Sequence, residues 1–94
     1  MKSLTKAKFA EWLKSKHPRT RVGNPSQCDS CPIAKFILQT TGKQCEVDTD
    51  IIYNRSDLRS LDTPRWVENF INRVDKSKSC SISSSRCLSY LREV

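Results

Sequence analysis

Cys28 and Cys31 flank Asp29-Ser30, and two thiols at this spacing can share a metal ion or cycle as a dithiol. A structural zinc site needs four ligands, usually two such pairs or one pair with histidines. The other candidates are Cys45, Cys80, Cys87 and His17. Cys80 and Cys87 lie seven positions apart, about 10 Å if helical, so they reach one ion only across a bend. The pattern is half of a zinc site. No metal is expected, and if one bound, Cys28 and Cys31 would hold it. A redox reading needs Cys28 at the entrance to a helix, where the helix dipole lowers its pKa. That condition fits, but the strand that precedes such a site in a βαβ unit is missing.

Other reactive types lack partners. His17 is the single histidine and stands before Pro18, where a solvated helix end is the simpler reading. Glu46, Asp48 and Asp50 alternate along one side of a predicted strand without a glycine-bearing calcium loop. Ser81, Ser83, Ser84 and Ser85 have no base nearby and read as loop. No Gly-rich phosphate-cradling loop occurs. The expectation is therefore a protein that is not an enzyme and carries no cofactor.

Charge is the stronger lead. The net charge is +7. Residues 1–25 hold seven basic groups and one acid, while residues 26–63 hold four basic groups and six acids. Lys14, Lys16, Arg19 and Arg21 run from a helix end into a loop, and are the candidate nucleic-acid or partner-binding residues. Clustered cations attract phosphate and release its counterions on binding. Outward aromatics for base stacking are missing, because Phe9 and Trp12 are assigned to the core. A helix-turn-helix is excluded by the long, proline-bearing 17–27 linker.

The elements follow from periodicity. A helix is predicted over about 3–16, with Phe9, Trp12 and Leu13 on one face, ended by His17-Pro18. Residues 17–27 read as a loop. A second helix over about 31–41 starts at Pro32 and stops at Gly42, a natural left-handed cap. Residues 44–53 alternate as a strand, with Cys45, Val47, Thr49 and Ile51 on one side and a partner near 57–61. A third helix over about 64–76 carries the stripe Trp66, Val67, Phe70, Ile71 and Val74, with Thr63 as N-cap and Pro64 as first helical residue. Residues 75–85 read as loop, and a fourth helix over about 84–93 puts Cys87, Tyr90, Leu91 and Val94 on one side.

The order Cys31-Pro32-Ile33-Ala34-Lys35-Phe36-Ile37, then Val47, then Trp66-Val67-Glu68-Asn69-Phe70-Ile71 and Val74-Asp75 resembles a set of short uncharacterised prokaryotic and phage proteins. Those share a Cys-Pro-Leu-Ala-like helix start and a later Trp…Phe helix ending in Val-Asp. The resemblance spans roughly residues 28–76. It implies a bacterial, phage or plasmid accessory protein with no assigned reaction.

Together these readings set the expectations. The fold is α+β and mostly helical, with three or four short helices and at most a small two- or three-stranded sheet. One domain spans 1–94: a basic helix and loop at 1–27, a core at 28–76, and a loop and helix at 77–94. Trp12, Ile37, Trp66, Phe70 and Leu91 meet in one core. No apolar run of about 7–15 residues follows the N-terminus and none nears about 20, so neither a secretory leader nor a membrane span is expected. A cytoplasmic location with reduced thiols follows. The expected function is a small non-enzymatic binding module that contacts nucleic acid through its basic N-terminal region. The alternatives are a protein-binding adaptor or inhibitor of a host or phage system, and a small zinc-binding protein using Cys28 and Cys31.

Overall fold

The computed structural model describes residues 4–24, 27, 29–77 and 81–94. Within them the chain forms four helices, one two-stranded sheet and one three-stranded sheet, a small α+β fold. Helix α1 (Lys6–Lys14) starts where the Thr5 hydroxyl accepts from the Lys8 amide at 3.1 Å, which satisfies one orphan donor of the first turn. It buries Phe9 and Leu13.

The segment 17–27 departs from the loop expectation. Strand β1 (Arg21–Gly23) pairs antiparallel with β5 (Ile82–Ser83), matching Arg21 with Ser83 and Gly23 with Ile82. Three residues beside a turn carry no detectable period, and their partner lies far along the chain. The same contact organises the serine-rich region. Helix α4 (Ser84–Arg92) follows β5 directly, and Ser83 caps it by accepting from the Arg86 amide at 3.3 Å. Ser84 and Ser85 are therefore helical, as the helix predicted over about 84–93 has them and the overlapping loop reading does not, and their amides donate to Thr20 and Pro18 carbonyls at 2.8 and 3.0 Å.

Helix α2 (Pro32–Thr41) matches its signals closely. Pro32 occupies the first turn, and Gly42 adopts φ 74° while its N–H donates to the Leu38 carbonyl. One face buries Ile33, Ala34, Phe36 and Ile37.

The predicted strand over 44–53 is two strands, β2 (Cys45–Val47) and β3 (Ile51–Asn54), which form a three-stranded meander with β4 (Arg59–Asp62) in the order β2-β3-β4. A turn at Asp48-Thr49-Asp50 interrupts the alternation. The Asp48 carboxylate accepts from the Thr49 amide at 2.8 Å, a local bond that competes with strand pairing. The turn resets the faces, so Ile52 is buried and Ile51 is 45% exposed, and Ile51 does not share the side of Cys45 and Val47. The partner expected near 57–61 is β4.

Helix α3 (Arg65–Asp75) buries Val67, Phe70 and Val74. Pro64 is its N-cap, and Thr63 turns away to donate to the Asp48 carbonyl at 2.7 Å. Thr63 thus ties the helix entrance to the meander instead of capping. Arg73 joins α3 to α4 through Glu93 at 2.9 Å and lies 4.0 Å from the Tyr90 ring centre.

The buried side chains make one cluster, and Phe9 is its hub. Its ring centre is 5.2 Å from Phe70, 5.3 Å from Phe36, 5.8 Å from Trp66 and 5.9 Å from Trp12. Ile37, Phe70 and Leu91 are in the core as expected. Trp12 and Trp66 are only partly buried and pack on its edge. Indoles are large and amphipathic, so a domain this small places them at its boundary more easily than at its centre.

Candidate functional site

The end of α1, strand β1 and the outer face of α2 enclose a cleft of about 290 Å³. Helix α1 contributes Trp12, the segment just after it Lys16, β1 Arg21, and α2 Lys35 and Gln39. Among the described residues, three cations line this cleft and no Asp or Glu does. Their field is not cancelled locally, which favours an anionic occupant.

Gln39 organises one wall. Its side-chain carbonyl accepts from Trp12 Nε1 and from Lys16 Nζ, each at 3.1 Å. The Lys16 ammonium also stands 5.3 Å from the Trp12 ring centre, within the range of a cation–π contact. Lys16 is thereby held at the cleft, and less of its rotamer freedom remains to be lost on binding. Arg21 and Lys35 form no ion pair among the described residues, whose two ion pairs are Lys43–Asp57 and Arg73–Glu93.

The four cations singled out in the sequence do not act as one patch. Lys16 and Arg21 share the cleft. Lys14 lies round α1, in a separate groove against α4. Arg19 is exposed in the turn after α1, where its amide donates to His17 Nδ1 at 3.1 Å. Sequence reasoning missed Lys35, Gln39 and the wall formed by Trp12. The spacing of Lys35 and Gln39, one helical turn apart and off the buried face of α2, was the available signal.

The described thiols sit elsewhere. Cys28 and Cys80 lie outside the described residues. Cys31 is buried at the N-cap of α2. Cys45 and Cys87 are buried free thiols on β2 and α4. Burial pushes the Cys87 thiol up to about 12, and the charge of Cys31 adds to the rise. Burial also raises Cys45, against the lowering effect of the Lys43 ammonium and with a smaller rise from Asp57. Raised thiol pKa values suppress nucleophilic and metal-binding thiolate. Among the described residues, no group of three or more His, Cys, Asp or Glu could hold a metal ion.

The remaining candidates are accounted for by structure. Asp48 and Asp50 belong to the β2–β3 turn, so they do not line a strand face with Glu46. Ser84 is buried and donates to the Leu13 carbonyl, and Ser83 caps α4. No helix among the described residues is long and apolar enough to cross a membrane. No family model, curated protein or solved structure matches the chain.

Proposed function

We propose that this protein is a small non-enzymatic binding module that takes nucleic acid by its phosphate backbone, with the Lys16–Arg21–Lys35 cleft as the principal contact. The observation that carries the reading is three cations converging on one cleft that no carboxylate among the described residues lines. Arg19 and Lys14 add charge outside it. Base edges are not read in this scheme, since phosphate contacts position a protein without specifying sequence. The reading contains no catalytic step: Ser83 caps α4, Ser84 donates to the Leu13 carbonyl, and the Cys45 and Cys87 thiols are buried. We assign the module to a bacterial, phage or plasmid accessory system on its resemblance to short prokaryotic and phage proteins, and propose that it works in the cytoplasm.

The test compares the triple variant Lys16→Gln/Lys35→Gln/Arg21→Gln with the pair Lys14→Gln/Arg19→Gln, using labelled DNA duplexes of two unrelated sequences over a salt series. The triple variant should weaken both duplexes equally and flatten the salt slope by up to about three charges' worth, roughly 0.9 per phosphate contact. The pair should have the smaller effect. Unchanged binding by a folded triple variant sinks the proposal.

A further inference from the structure

We infer that the groove between α1 and α4 is a docking site for an acidic amphipathic helix of a protein partner, separate from the cationic cleft. The groove measures about 510 Å³. Ala7 and Ala10 of α1 and Leu88 and Leu91 of α4 supply its apolar surface. Among the described residues, Lys6, Lys14 and Arg92 supply its only charges, and no acid lines it. Glu11, the one acid of α1, is exposed and outside the groove.

Its dimensions suit a helix. Each wall is a nine-residue helix, hence about 13 Å long at 1.5 Å per residue. That length matches the roughly 10 Å spanned by apolar anchors at i, i+3 or i+4, and i+7. Alanine on one wall lets a third helix approach within the usual 8–10 Å between packed axes. Charge decides the rest. A second copy of this chain would bring its own three cations against these three, with a net +7 on each molecule. Duplex nucleic acid keeps its base faces stacked inside, and so has no apolar face to cover the aliphatic surface while its phosphates meet the cations. An acidic amphipathic helix satisfies both features, because leucines enter the groove and flanking glutamates meet the cations. Lys14 and Arg92 form no ion pair among the described residues, and the Lys6 ammonium donates to the Val94 carbonyl.

The experiment uses a synthetic 15-residue peptide with leucines at i, i+4, i+7 and i+11 and glutamates on the flanks. Its control has the same composition with the leucines scattered around the helix. Amide chemical shifts of the whole protein and fluorescence anisotropy of the labelled peptides are the readouts. The patterned peptide should bind at least tenfold tighter than the scattered one, with shifts centred on Ala7, Ala10, Leu88 and Arg92. Ala7→Glu, at an exposed position of α1, should weaken it tenfold or more. Arg92→Glu should weaken it too, which separates charge recognition from loss of the apolar surface. The triple cleft variant should bind the peptide as the parent does, so this inference and the nucleic-acid reading fail separately. Equal affinity for both peptides, no binding at all, shifts centred on Lys16, Arg21 and Lys35, or self-association through Leu88 would each overturn it.

Discussion

Gly23 runs so close to Pro32 that a Cβ on the glycine would lie 2.5 Å from the proline nitrogen. The neighbouring Cys31 backbone is almost as near, at 2.7 Å. Neither obstacle is the yielding end of a side chain. This contact sets β1 against the start of α2, and so sets Arg21 opposite Lys35 and Gln39. Gly23→Ala must push the two segments apart, and should cost about 1–3 kcal/mol, the usual range for overpacking. Urea denaturation measures it, and a cost below about 0.5 kcal/mol would show that β1 moves freely relative to α2. The folded fraction of the variant should also bind duplex DNA more weakly, because its cations diverge.

The core places its energy on Phe9 rather than on the tryptophans. Phe9 is fully buried and meets four other aromatic rings. Phe9→Ala should therefore lose about 3–5 kcal/mol, the range for a deleted core aromatic. Trp66→Ala removes a half-buried ring and should fall below that range. Denaturation midpoints of the two variants give the order directly. A greater loss at Trp66 would contradict the packing described.

Cys87 makes stability depend on alkaline pH. Its thiol is held near 12 in the folded chain and titrates at about 8.5 in an unfolded one. Between these values the unfolded state releases the proton first, so folding weakens as pH rises. The contribution is intact below about pH 8 and should be down by roughly 1–2 kcal/mol at pH 10. Cys87→Ala is destabilised at pH 7 by its cavity, and its deficit relative to the parent should narrow by that amount at pH 10. A constant deficit from pH 7 to 10 would mean that the thiol is not protected by burial. Native Cys87 should also react slowly with thiol reagents at pH 8.

Leu58 stores strain in the β3–β4 turn. Its φ is 56°, in the left-handed region, and its side chain is 74% exposed. The turn is held by Asn54, whose side-chain carbonyl accepts from the Ser56 and Asp57 amides at 2.9 and 3.3 Å and whose amide donates to Asp57 at 3.1 Å. Asparagine tolerates left-handed backbone better than leucine, for which it costs about 1–2 kcal/mol. Leu58→Asn should raise stability by about 0.5–1 kcal/mol, visible as a higher melting temperature. A lower melting temperature would show that the leucine side chain packs against the protein.

Local chemistry by itself determined most of the helices. Pro32 opening α2, Gly42 closing it in a left-handed conformation, and the Val67-Phe70-Val74 stripe of α3 are all decided within one or two turns of chain. Such features depend on near neighbours, so the order of residues contains them. The same holds for the basic excess before residue 25 and for the two cations, Lys16 and Arg21, that do reach the cleft. Only the tertiary structure decided the rest. Arg21–Gly23 is a strand because Ile82–Ser83 lies beside it. Thr63 serves Asp48 instead of α3 because the meander folds back to it. Lys35 and Gln39 join Lys16 because α2 packs across the end of α1, while Lys14, two residues earlier, is carried round to α4. Each of these outcomes joins residues distant in sequence or turns on about 100° of helix rotation per residue, and packing between elements sets both.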